Sequence, residues 1–235
     1  VVSFIALVVV ELRVPEPMLD LRLFGDRMFR QANIATMALS GSLLGLLFLL
    51  PMFLQGLRGL SAQQSGLATF PQALGVMTMA RVAGNLYPKI GPRRLMMFGA
   101  LTNSIVTAGF VFVGLGTSLW WVRGLMYARG LTMAFVMVPM QAASFVTIPP
   151  AKTGRASSLS STNRQVGAAI GVATLATILI SRTNALIDTT APLTAAVNIS
   201  ARTTAFHQAM FASACIGMIG VLASWFVRDR DAAAS

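Results

Sequence analysis

The chain has 235 residues, of which 55% are hydrophobic and only 11% charged, with a formal net charge of +11. A soluble domain carries about 25% charged residues, so this composition excludes a particle wetted on all sides. The cations lie in short clusters between apolar runs, not in a stripe interleaved with aromatics, which argues against nucleic-acid binding.

The first run, Val1 to Val10, is too short to span a bilayer and ends at Glu11. No basic region precedes it and no small-residue cleavage site follows it, so it does not read as a signal peptide. It is expected to be the tail of a preceding transmembrane helix. Residues 1–27 are therefore expected to hold that tail and a cytoplasmic connector, residues 28–228 a membrane bundle, and residues 229–235 a cytoplasmic tail.

Six apolar segments follow, at about 30–55, 66–86, 95–115, 119–148, 157–180 and 206–227. A helix needs about 20 residues to cross roughly 30 Å of hydrocarbon, and all six are long enough. None shows the two-residue alternation of a barrel strand, and helices are the other structure that satisfies every backbone polar group in lipid. The fold class is an all-α membrane protein with a six-helix bundle. Pro51, Pro71 and Pro139 lie inside or near the ends of these segments, where membrane helices tolerate kinks.

The loops alternate in charge. One set holds Arg13, Arg22, Arg27 and Arg30, then Lys89, Arg93 and Arg94, then Lys152 and Arg155, then Arg228 and Arg230. The other holds Arg58, Arg182 and Arg202, with Arg123 at the outer end of the fourth segment. By the positive-inside rule, residues 87–94, 149–155 and the C-terminus belong in the cytoplasm and the loop at about 181–205 outside. Gly41 and Gly45, Gly167 and Gly171, and Ser213 and Gly217 are each four apart. That spacing puts small residues on one helix face, where helices can approach closely, although glycine is also simply common in membrane helices.

The most specific stretch is Gly84-Asn85-Leu86-Tyr87-Pro88-Lys89-Ile90-Gly91-Pro92-Arg93-Arg94-Leu95, read as a tight turn between the second and third segments. It resembles the loop signature of the major facilitator superfamily, G-x-L-[A]-[D]-x-x-G-x-[R/K]-[R/K], through Gly84, Gly91, Arg93 and Arg94, with Lys89 a third cation of the turn. It departs at the acidic position, where Tyr87-Pro88 stand, so no acidic gating contact is carried over. The stretch from Glu11 through Pro15 and Pro17 to Phe24 resembles the link into the seventh canonical helix of 14-span permeases, and Leu50-Pro51-x-Phe53-Leu54-Gln55 resembles that helix itself. Arg129-Gly130-x-x-Met133 with Pro139 is similar to the tenth helix, and Gly154-Arg155-Ala156-Ser157 with Asn163-Arg164-Gln165-x-Gly167 to the eleventh. The chain thus looks like the C-terminal six-helix half of a drug:H+ antiporter of the EmrB/QacA type.

The resemblance implies a secondary active antiporter rather than an enzyme, with no cofactor and no metal. It implies proton-driven efflux of drugs or other amphipathic small molecules by alternating access, from a bacterial inner membrane. A membrane-fusion protein and an outer-membrane channel are the partners it brings with it. An exporter of one metabolite and a non-transporting scaffold or sensor are the alternatives. No Asp or Glu occurs between Asp26 and Asp188, so the proton-coupling residues are expected in the N-terminal half.

Within the segments, Arg129 is costly if it faces lipid and is read either as cavity lining or as a structurally paired cation. Arg81 and Arg164 lie nearer the ends and are read as snorkelling. Gln55, Gln72, Gln141 and Gln165 can serve a cargo or bind helices together. Cys215 and His207 each stand alone and read as packed residues. Motifs of hydrolases, zinc proteases and nucleotide-binding loops do not occur.

Overall fold

The structure, a computed structural model, describes residues 20–146, 153–187 and 195–225. The expected upstream helix tail, most of the 149–155 loop and the C-terminal tail lie outside the described residues.

Asp20 accepts a hydrogen bond from the Arg22 amide and opens a short 3-10 turn, Leu21–Gly25. Asp26 then caps α1 (Arg27–Gly56) by accepting from the Phe29 amide at 2.7 Å. A carboxylate there satisfies an orphan donor and complements the positive end of the helix. At 1.5 Å per residue α1 is about 45 Å long, enough to cross a bilayer with Pro51 inside it. Gly59, at φ +66, turns the chain back.

The second segment differs from its expected span of 66–86. It is two helices, α2 (Ala62–Thr69) and α3 (Pro71–Ile90), joined at Phe70. Ser61 and Gln64 form a reciprocal capping box that starts α2 early, and Pro71 at the first position of α3 has no amide to continue the preceding ladder. At its other end α3 runs on through the signature to Ile90, so Gly84 and Lys89 are helical and exposed rather than part of a loop. The turn expected over 87–94 shrinks to Gly91, at φ 86 and ψ 157. A side chain would be strained there, and Pro92 with its preset φ starts α4 (Pro92–Ala108) at once.

α4 tightens into a 3-10 turn, Gly109–Phe112. Ser118 then presents its hydroxyl to the Trp120 amide at the start of α5 (Leu119–Val146). α6 (Thr153–Ile187) and α7 (Ala195–Trp225) follow. Both extend into the loop expected over 181–205, most of which is therefore helix.

α1 packs against α6 and α7, α4 against α5 and α7, and α3 against α5. Two apolar clusters stack along the bundle. One, at the end away from Gly91, joins Leu46, Leu49, Leu50 and Phe53 to Phe110, Met126 and Phe206. The other, toward the Gly91 end, joins Ala35 and Leu39 to Met96, Ala100, Val136 and Met140. Outside, Phe112, Trp120 and Met77 are 80%, 75% and 74% exposed, a surface suited to lipid and not to water. Among the described residues four stretches are long and apolar enough to cross a membrane: Phe29–Gly56, Pro92–Phe112, Thr153–Ile187 and Asn198–Leu222. The all-α membrane fold read from the sequence is the fold observed.

Candidate functional site

Between the two apolar clusters lies a polar layer. α1 contributes Ser42, α4 Asn103, Ser104 and Thr107, α5 Arg129, and α7 Ser213, all of them buried. Arg129 is the largest, at 1% exposure.

Its position follows from the residue beside it. Gly130 and Gly75 let α5 and α3 cross at backbone contact: a Cβ on Gly75 would lie 2.9 Å from the Leu131 amide nitrogen, and one on Gly130 would lie 3.0 Å from the Gly75 Cα. With that side of α5 closed on α3, the neighbouring Arg129 reaches to α4 and α1. Nε donates to Thr107 Oγ1 at 3.1 Å and Nη2 to the Ser42 carbonyl at 3.2 Å. Nη1 is buried with no partner. The hydroxyls around it already donate elsewhere. Thr107 donates to the Asn103 carbonyl at 2.8 Å. The Ser42 hydroxyl donates to the Ser213 carbonyl at 3.0 Å, and Ser213 donates back to the Ser42 carbonyl at 3.3 Å. A cation at the centre of a membrane helix costs about 3 kcal/mol by insertion measurements, and two neutral hydrogen bonds offset only part of that.

Arg129 also borders a cavity of about 250 Å³ between α1, α5 and α6. Thr36, Leu39, Ser40 and Leu43 line it from α1, and Ser157, Ser160, Ser161 and Arg164 from α6. α5 adds Met133, Val136, Met137, Met140 and Gln141, while Asn103 reaches it from α4. Flexible thioethers opposite hydroxyls make a lining that can adapt to an amphipathic molecule.

Of the five residues that the sequence offers to a cargo, Arg129 and the four glutamines, the structure brings Arg129 and Gln141 together here, while Gln165 is exposed and outside the lining. Gln72 is buried between α3 and α5, with Nε2 3.8 Å from the Met133 sulfur and Oε1 without a partner, so it joins helices and does not line this space. Gln55 is exposed near the far end of α1 and lines no part of the cavity. The serines, the methionines and Asn103 carry no mark in the sequence that separates them from packing residues. Arg164 does carry one, a charge in an apolar run, but stands in the cavity wall well inside α6 rather than at a helix end.

The remaining motif residues serve the frame. Gly41 faces α6: a Cβ there would lie 2.9 Å from the Gly167 carbonyl oxygen and 3.2 Å from the Gly171 Cα. Gly45 meets the side chain of Leu175 on the same helix. A Cβ on Gly217 would come 2.7 Å from Ser104 Oγ. At the Gly91 turn the Arg93 guanidinium sits 5.4 Å from the Trp225 ring centre, tying α4 to α7, and Arg94 is exposed. His207 pairs through Nε2 with the Val113 carbonyl at 3.0 Å. Cys215 is exposed.

These features define an all-α integral membrane bundle with a buried cation beside a cavity. Comparison with known sequences carries the assignment further. A family model described as Major Facilitator Superfamily matches residues 1–172. The chain is 31% identical over 182 residues to the uncharacterized MFS-type transporter YhcA of Bacillus subtilis, covering 77% of this chain and 34% of that protein. It is 33% identical over 175 residues to a multidrug resistance protein B homolog of Mycobacterium tuberculosis, covering 73% and 32%. To the lincomycin resistance protein LmrB of Listeria innocua it is 27% identical over 218 residues, covering 93% and 46%. The chain thus spans between about a third and a half of the length of these curated relatives. It belongs to the Major Facilitator Superfamily.

Proposed function

We propose that the chain is the C-terminal six-helix half of a proton-driven multidrug efflux permease of the 14-span group. In this reading α2 and α3 together count as the second span and α5 as the fourth, and the cavity beside Arg129 is this half's share of the cargo site. A second bundle rocks against this one and exposes the cavity alternately to the two sides of a bacterial cell membrane. The basic Gly91 turn and the C-terminus lie in the cytoplasm.

One observation carries the reading. The cavity between α1, α5 and α6 has an adaptable, amphipathic lining and a buried arginine, in a superfamily chain whose relatives include proteins named for multidrug and lincomycin resistance. Proton coupling requires a group that changes charge inside the membrane. No Asp or Glu lies between Asp26 and Asp188, so the coupling carboxylate belongs to the rest of the protein.

The test is efflux of a fluorescent drug analogue from cells expressing the full-length protein, with and without a protonophore. Expression should lower dye accumulation, and collapsing the proton gradient should restore it. Arg129→Ala should abolish efflux while membrane insertion is retained. Accumulation indifferent to both expression and the gradient would defeat the reading.

A further inference from the structure

We propose that the cavity selects acids: the guanidinium of Arg129 receives an anionic group of the cargo, and amphipathic carboxylates are preferred over amphipathic cations of the same shape. This rests on the reading of the cavity as a cargo site.

A guanidinium has five N–H donors. Those of Arg129 meet one hydroxyl and one backbone carbonyl, both neutral, while Nη1 meets nothing. No protein anion on this chain's helices balances the charge, since the sequence has no Asp or Glu between Asp26 and Asp188 or between Asp188 and Asp229. Nor can the local layer rearrange cheaply to fill the vacancy. Thr107 already spends its hydroxyl proton on the Asn103 carbonyl, and Ser42 and Ser213 spend theirs on each other's carbonyls. The strongest partner for an unfilled guanidinium donor in a medium of low dielectric is an oxyanion, which it can grip with two parallel bonds.

The rest of the lining agrees in sign. Arg164 is the second charge on the wall, so a cationic cargo would meet two positive side chains and no counter-charge from this half. An amphipathic acid would place its apolar body against Met133, Met137 and Leu39 and its carboxylate toward Arg129.

Binding and transport are measured separately on the full-length protein. The probes are a xanthene dye with a free carboxylate and the ethyl ester of the same dye. In detergent, the acid should raise the thermal unfolding midpoint at concentrations at least about tenfold lower than the ester does. Arg129→Gln should remove that preference by weakening the response to the acid at least about tenfold more than the response to the ester, and Arg129→Lys should restore part of it, because lysine keeps the charge without the fork. Equal affinity of the wild-type protein for the two dyes overturns the inference, and this comparison holds even if the variants fail to accumulate. So does an equal loss of both dyes in a well-inserted Arg129→Gln protein, which would assign the side chain to the frame or to a carboxylate elsewhere in the protein. Efflux of the same pair separates the two claims. Acid-selective binding without efflux sustains the inference and defeats the export reading, whereas efflux without acid preference does the reverse.

Discussion

Two cavities of about 250 and 240 Å³ lie along the same pair of helices, α1 and α6, one toward each end of the bundle. The first is completed by α5 and holds Arg129, Arg164, Asn103, Gln141 and a row of hydroxyls among its methionines. The second is completed by α7 and is built mainly of Leu49, Met52, Phe53, Leu179, Ile180 and Phe206, with Phe53 and Phe206 stacked 4.2 Å apart. Between them the glycines Gly41, Gly45, Gly167 and Gly171 bring α1 and α6 to backbone contact. Size does not separate the two spaces; chemistry does. Only the first touches the buried polar layer; the polar members of the second wall, Thr183, Asn184 and Arg202, are half-buried or exposed and belong to no buried network.

The largest expected effect comes from filling each cavity in turn. Ser161 and Asn184 are exposed members of the two walls, so a tryptophan at either leaves the helix contacts intact. Ser161→Trp should lower dye efflux by at least about tenfold, equivalent to roughly 1.4 kcal/mol on the transport barrier, at unchanged membrane protein level. Asn184→Trp should stay within about twofold of wild type. Equal losses at the two positions would erase the functional distinction between the cavities.

How far this contrast could be read from the sequence depends on which force marks a residue. The helices were legible because an apolar run of spanning length has few other fates in a bilayer. The break at Phe70 was not, because the apolar run passes through it and only Pro71 records the joint. Arg129 stood out because a cation in such a run is expensive wherever it points. Its partners did not, being 22 and 87 residues away on other helices. The glutamines show the limit most plainly. A helix that is apolar all round gives no periodicity from which to tell a core face from a lipid face. Gln55, Gln72 and Gln141 were therefore equivalent in sequence and went, respectively, to an exposed helix end, a helix contact and the cavity.

The glycine wall between the cavities is the next place to press. A Cβ on Gly171 meets backbone atoms of Gly41, which cannot swing aside. Gly171→Ala should therefore force α1 and α6 apart, lowering the unfolding midpoint in detergent by the equivalent of about 1–3 kcal/mol. Gly124→Ala is the contrasting case. Nothing lies within 4 Å of a Cβ there, so the better helix former should raise stability by up to about 1 kcal/mol. A neutral Gly171→Ala would mean that the two cavities are not held apart by this contact. Ser213→Ala should do less, because it removes one half of the reciprocal serine pair while the Ser42 carbonyl keeps its bond from Arg129. Interhelical hydrogen bonds in membranes average about 0.6 kcal/mol, and a loss of that order in the same measurement, with cargo preference unchanged, is the expected result.

Arg164→Gln is expected to have the smallest effect and makes the sharpest contrast within the first cavity. Arg164 shares the wall with Arg129 but is exposed, so its field is screened by water and salt where that of Arg129 is not. Exposed ion pairs contribute under about 1 kcal/mol. The substitution should therefore weaken binding of the carboxylate dye by no more than about fivefold, and this difference should fade as salt is raised. The Arg129→Gln effect should persist at high salt, because its site is shielded from counter-ions. If instead the two variants lose the acid equally and with the same salt dependence, selectivity arises from the summed charge at the cavity mouth. The buried arginine would then be part of the frame that shapes the cavity rather than the group that reads the cargo.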